Sequence, residues 1–228
     1  MELVNILNNP PKVHDWKSNG EFSSSGLPVD IFEMMTSVLD VHSKTVETGM
    51  GISTAIFAFK NTTHTCIAPD ANEIERLQEY LSNNKIDSSK LNFICKKSCD
   101  AWFELKNNAW DFVLIDGLHG FPAPFMDWYF LTQGLKINGY LVIDDVQIVT
   151  GRILSDFLRK EPEWKHIKTS SGKTAVFQKI KEYNYDKEFF DQLYVLDQNK
   201  KINKYAKLKW IYRGVLRRAG AMVNKNRI

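Results

Sequence analysis

The 228 residues are enough for one domain with short additions at either end. A hydrophobic share of 43% and a charged share of 25% exclude a disordered chain, and no run approaches the roughly 20 apolar residues of a membrane span. The net charge of +3 hides an asymmetry: ten of the 30 basic residues follow Asn199 with no acidic one among them, which leaves residues 1–199 at about −7.

In chain order, a short helical opening breaks at Asn9-Pro10-Pro11, and the run from Ser23 to Pro28 is a loop. The spacing of Ile31, Phe32, Met34, Met35, Val38 and Leu39 predicts a helix with one buried face. Strands and helices then alternate: strand 45–48, helix 53–59, strand 65–68, helix 71–83, strand 91–95, helix 101–105, strand 111–116, helix 125–135, strand 140–144, helix 152–160. Strands this apolar imply a parallel sheet covered on both faces. Residues 164–169 and 174–180 flank the turn Ser170-Ser171-Gly172 and read as an antiparallel hairpin. The expected fold is α/β, a doubly wound Rossmann-like sheet. A domain over 1–181, opening with a helical and lid-like segment, is expected to precede a basic helical extension over 182–228.

Three segments carry chemistry. In Val46-Glu47-Thr48-Gly49-Met50-Gly51-Ile52-Ser53-Thr54, a strand ends in a glycine turn that opens a helix, and glycine admits positive φ and lets a ligand lie on backbone. Two glycines also suit any tight βα turn. Thr54 stands where a nicotinamide-binding turn carries its third glycine or alanine, which disfavours that class. Glu47 can bind the ammonium of an amino-acid moiety, which adenosylmethionine has and NAD lacks, or order the loop. The second segment, ending Ile115-Asp116-Gly117-Leu118-His119, and the third, Gly139-Tyr140-Leu141-Val142-Ile143-Asp144-Asp145, aim three carboxylates and an imidazole at the sheet edge where open α/β folds bind ligands.

With Leu135, Asn138 and Gly139 before the third segment, the run from Val46 to Val146 resembles class I S-adenosylmethionine-dependent methyltransferases, in particular the macrocin-type sugar O-methyltransferases. The resemblance implies a seven-stranded sheet, mostly parallel with the last strand antiparallel. It implies that Glu47, Thr48, Gly49, Gly51, Ser53 and Thr54 surround the methionine end of the cofactor, with Ser98 and Asp116 also on it. The acid that binds ribose in relatives falls on Ala68, so Asp70 is the candidate substitute. Metal-using relatives place carboxylates at Asp116, Asp144 and Asp145 and a base at His119, implying a divalent ion such as Mg2+. Magnesium prefers oxygen ligands, and such an ion acidifies an acceptor hydroxyl. Two plainer roles stay open: Asp145 as a helix cap and His119 as a hydrogen-bonded loop residue.

His14, His42, His64 and His166 belong to no constellation and are expected to be structural or on the surface. Cys66, Cys95 and Cys99 fit no zinc spacing. Phe121, Phe125, Trp128, Tyr129 and Phe130 wall an acceptor pocket or pack a core helix. In the tail, the stripe of Tyr205, Leu208, Ile211, Tyr212, Val215, Leu216, Ala219 and Val223 among lysines and arginines suits an anionic membrane interface, the domain itself or a second subunit. No nucleic-acid recognition module is present. The absence of a basic stretch and apolar core after Met1 makes a cytoplasmic location the expectation. The reading is methyl transfer to a small-molecule hydroxyl, with a nicotinamide-dependent oxidoreductase and a membrane-docking adapter as the alternatives.

Overall fold

The computed structural model describes residues 3–15, 19–105, 109–205, 207, 208 and 212. The chain divides into two compact units, residues 1–183 and 184–228.

The first unit opens with α1 (Leu3–Asn8) and α2 (Val29–Val38) and continues as β1 (Lys44–Thr48), α3 (Ile52–Phe59), β2 (Thr63–Ile67), α4 (Ala71–Asn83) and β3 (Leu91–Ile94). After α5 (Ser98–Ala101) and a 3-10 turn (Trp102–Leu105) come β4 (Trp110–Ile115), α6 (Ala123–Leu131), β5 (Leu135–Ile143), α7 (Val149–Leu158), β6 (Trp164–Ser170) and β7 (Thr174–Lys179). The seven strands form one sheet in the order β3-β2-β1-β4-β5-β7-β6. Strands β1 to β5 pair in parallel, and β7 runs antiparallel to both β5 and β6. This is the Rossmann-like seven-stranded sheet with an antiparallel last strand that the motifs imply. The order reverses between β1 and β4, and a crevice opens at such a switch, outside the carboxyl ends of the strands.

Burial explains why the strands read as continuous apolar runs. Val46, Phe112, Leu114, Val142 and Val176 are fully covered, and Ile56, Phe57 and Leu77 from α3 and α4 pack on the sheet. The chain departs from its sequence periodicity around Leu135. The helical pattern over 125–135 ends at Leu131, and β5 starts at Leu135, well before Tyr140, because Leu135 pairs with Trp110 across a register shift.

The second unit is helical over residues 193–205, with Leu193, Ile202 and Tyr205 exposed. Leu208 and Tyr212 are exposed as well, whereas Ile211 and everything beyond Tyr212 in the basic stripe lie outside the described residues. Among the described residues, no helix is long and apolar enough to cross a membrane.

Candidate active site

The turn after β1 is built for close approach. Gly49 has φ +87°, a region that favours glycine, and a Cβ there would lie 2.1 Å from the Asp116 carbonyl oxygen. The absent side chain therefore lets the ends of β1 and β4 touch. Glu47 holds this turn from behind. It is 1% exposed and accepts hydrogen bonds from Ser53 Oγ at 2.7 Å and from Thr54 Oγ1, while His64 Nε2 lies at 3.1 Å. Thr54 Oγ1 in turn accepts from the Gly51 amide at 3.1 Å. His64 is fixed by Thr45 Oγ1 at 2.8 Å from its Nδ1 and by Phe57, whose ring stacks on it at 4.1 Å. Nearby, the Cys66 thiol donates to the Gly49 carbonyl at 3.3 Å. Burial, then the Glu47 charge, pushes this thiol well above its ordinary value. Glu47, His64 and Cys66 bring three potential ligand atoms within 4.8 Å, yet each already has a partner in the network.

The ends of β4 and β5 are different. Asp116, Asp144 and Asp145 converge there with His119 and with Lys173, which follows the β6–β7 turn. The Asp116 carboxyl is held well above the usual carboxylate range, first by burial and then by the charge of Asp144. Asp144, 4% exposed, accepts from Thr174 Oγ1 on one oxygen and meets Lys173 Nζ at 2.6 Å on the other. Asp145, at φ +54°, places Oδ2 3.1 Å from His119 Nε2 and Oδ1 2.6 Å from Gln147 Nε2, with Lys173 Nζ at 3.9 Å. The Asp145 side chain therefore serves the site and not the start of α7, whose first residues follow Ile148. Lys173 also donates to the Gly26 carbonyl at 3.1 Å, tying the loop before α2 to the acids. Burial, the largest single influence, would lower the lysine pKa, and the hydrogen bond with Asp144 together with the charges of Asp144, Asp145 and Asp116 outweighs it and raises the value.

Both halves open into one cavity of about 860 Å³, within the usual range for small-molecule sites. Thr48, Gly49, Ser98, Asp116, His119, Asp144 and Asp145 line it. Five expected cofactor residues are placed behind it or outside it. Glu47, Ser53 and Thr54 form the buried network described above, and Gly51 belongs to the same turn. Asp70 caps α4 through Oδ1, which accepts from the Asn72 amide at 2.8 Å and the Glu73 amide at 3.3 Å. The acid that faces the cavity from this helix is Glu73, 2.9 Å from His14 Nδ1. His14, Glu73, Lys97, Trp102 and Lys173 are among the lining residues that sequence spacing did not single out. Nothing in the neighbours of His14 and Lys173 marks them, since each reaches the cavity only through long-range folding. Ser25 and Gly26 place the loop of residues 23–28 on the cavity wall. Of the aromatic cluster, Phe121 lines the cavity, whereas Trp128 is buried against Phe157 and Tyr183.

A family model described as a methyltransferase domain matches residues 46–146, from β1 past the end of β5. Over those residues, a little under half of the chain, the sequence matches a methyltransferase domain. That match decides against a nicotinamide enzyme at the glycine turn. Among solved structures, a Staphylococcus aureus protein provisionally described as a caffeoyl-CoA O-methyltransferase superposes with a TM-score of 0.61 at 13% identity, over 78% of this chain and 92% of that one. The O-methyltransferase TomG from Streptomyces achromogenes, involved in tomaymycin synthesis and solved with SAM, gives 0.60 at 11% identity over 78% and 89%. An rRNA methylase from Streptococcus thermophilus gives 0.54 at 14% identity over 68% and 98%. At such identities these likenesses establish the methyltransferase fold alone. A comparison with curated protein sequences finds no match.

Proposed function

We propose that this methyltransferase domain moves the methyl group of S-adenosylmethionine onto a hydroxyl oxygen of a small molecule, a sugar being the class to which the motif resemblance points. One observation carries the reading: the glycine turn after β1 and the acid and imidazole cluster after β4 and β5 share one cavity. In this reading the adenosine half lies over Ser98 and Cys99, the methionine half over Thr48 and Gly49, and the acceptor beside His119.

The chemistry follows from the chain's own groups. Asp145, 3.1 Å from His119 Nε2, favours the tautomer with the proton on that nitrogen, which leaves Nδ1 to take the acceptor proton. The acceptor oxygen then attacks the methyl carbon, the carbon–sulfur bond breaks with its electron pair going to sulfur, and S-adenosylhomocysteine leaves. Asp145 would stabilise the imidazolium that His119 becomes, and the acids of the cavity favour binding of the positive sulfonium.

A divalent cation fits the residues present. Asp116 and Asp145 bring carboxylate oxygens within 4.8 Å of each other beside His119, which keeps its free nitrogen for the acceptor proton. Asp144 would join only after Lys173 leaves it, because both its oxygens are engaged. When bound, such an ion would acidify the acceptor hydroxyl.

Calorimetry with S-adenosylhomocysteine, followed by methyl transfer from labelled S-adenosylmethionine to a panel of sugars and phenols with and without magnesium, tests the proposal. Product formation on oxygen is expected. Absence of cofactor binding by the wild-type chain would sink it.

A further inference from the structure

One buried acid stands outside everything described so far. Helix α6 buries Pro124, Asp127, Trp128 and Leu131, a helical stripe with a carboxylate in its middle. Asp127 is 0% exposed, and neither of its oxygens makes a hydrogen bond of normal geometry. Two buried donors, Thr48 Oγ1 and Trp102 Nε1, are equally unsatisfied. They are neighbours of that acid: burial raises the Asp127 carboxyl, and Ser98, Thr48 and Trp102 act on it as hydrogen-bond donors that pull it back down. Trp102 is held toward α6 by stacking on Phe130 at 4.3 Å and 17°. Buried polar groups left without partners are unfavourable, so a gathering of them around one carboxylate has to be explained by something it organises.

What they share is the cavity. Thr48 ends β1, Ser98 opens α5 and Trp102 opens the following 3-10 turn, and all three line the cavity that Asp127 does not reach. We infer that Asp127 is a positioning residue, an anionic hub behind the wall that faces the side chains of Thr48, Ser98 and Trp102 and fixes the segment beginning at Ser98 on which the adenosine half of the cofactor lies. The segment from Ser98 to Leu105 is a short α-helical turn and a 3-10 turn without strand pairing, and the stacking of Trp102 on Phe130 ties it to α6. This inference rests on the proposed use of S-adenosylmethionine, and its test separates the two.

The test is calorimetry on the full chain with S-adenosylhomocysteine and with 5′-methylthioadenosine, which keeps the adenosine and lacks the amino acid. Asp127→Asn, checked for folding by circular dichroism and melting, weakens both ligands by the same factor, about 10-fold or more. It also raises KM for S-adenosylmethionine while kcat at saturation stays within about twofold and KM for the acceptor is unchanged. Trp102→Phe, which keeps a stacking ring and deletes the N–H, weakens both ligands about threefold alone and adds nothing in the Asp127→Asn background. Unchanged affinities in folded Asp127→Asn, a loss confined to S-adenosylhomocysteine, or additive Trp102→Phe and Asp127→Asn effects overturn the inference. Should Asp127→Asn not fold, Thr48→Val and Trp102→Phe take its place: a double variant weaker by less than the product of the singles supports the hub, and independent effects overturn it. Failure of the wild-type chain to bind S-adenosylhomocysteine would instead remove the proposed function underneath.

Discussion

Glu47 and Asp116 are carboxyl groups at the same sheet edge, Glu47 fully buried on β1 and Asp116 part-buried just past β4, and they are treated in opposite ways. Glu47 is surrounded by the hydroxyls of Ser53 and Thr54 and the ring of His64, so its hydrogen-bonding capacity is spent inside the fold. Among the described residues the Asp116 carboxyl makes no hydrogen bond, only its amide donating to the Thr48 carbonyl at 3.0 Å, and that carboxyl is raised by burial and by the charge of Asp144. A satisfied buried acid stiffens a scaffold, whereas an unsatisfied one stores unfavourable energy that a ligand can relieve. The glycine turn is therefore held by an acid whose interactions are complete, whereas Asp116 is left to be completed by a ligand.

The largest test of the comparison is at the join between the halves. Gly49→Ala places a Cβ against the Asp116 carbonyl at a backbone angle alanine rarely adopts, and is expected to destabilise the domain by about 3 kcal/mol or more and to abolish cofactor binding. Urea unfolding and calorimetry measure both effects, and a variant of wild-type stability would show that the two strand ends need not touch. Next in size, His119→Ala is expected to lower kcat by about 100-fold or more with S-adenosylhomocysteine affinity retained. A parallel loss of affinity would make His119 a binding residue.

The two carboxyls should respond with opposite sign to neutralisation. Glu47→Gln puts an amide donor among hydroxyl donors and is expected to cost about 2 kcal/mol of stability. Asp116→Asn removes an unfavourable buried charge and is expected to raise the melting temperature by about 2–4 °C while abolishing turnover. The pH dependence has a definite direction. The folded Asp116 pKa lies above the unfolded value of about 3.9, so its contribution to stability is present below that value and is lost as pH rises through the raised folded pKa. The advantage of Asp116→Asn in thermal melts should grow across that same interval. Equal signs for the two variants would erase the distinction. The smallest expected effect belongs to Lys173→Met, which frees an oxygen of Asp144 and should tighten magnesium binding severalfold by calorimetry. Weaker binding would mean that the lysine supports the cation site.

Much of this was legible along the chain because the relevant signals are local. The alternation of apolar strands with helices at 3.6-residue spacing predicts the order of elements, and Gly49, Asp116, His119, Asp144 and Asp145 all sit within motifs at strand ends, where the fold has no choice but to gather them. The direction in which a side chain points at a strand end is less local. Glu47 and Thr48 are adjacent, and successive residues in a strand face opposite sides. Thr48 lines the cavity, while Glu47 lies in the buried network with α3 and His64. Asp70 also serves the fold, since a carboxylate one residue before a helix meets two free amides, which here share its Oδ1.

By itself, then, the sequence determined the class of fold, the antiparallel final strand and the convergence of glycine turn, acids and imidazole, because periodicity and turn chemistry act over a few residues. Only the tertiary structure decided that Lys173 would enter the acid cluster from a hairpin, that His14 would join the wall from the N-terminal segment, and that Asp127 would stand behind Thr48, Ser98 and Trp102. Those placements depend on packing between elements far apart in the chain, and burial and charge there are properties of the assembled molecule.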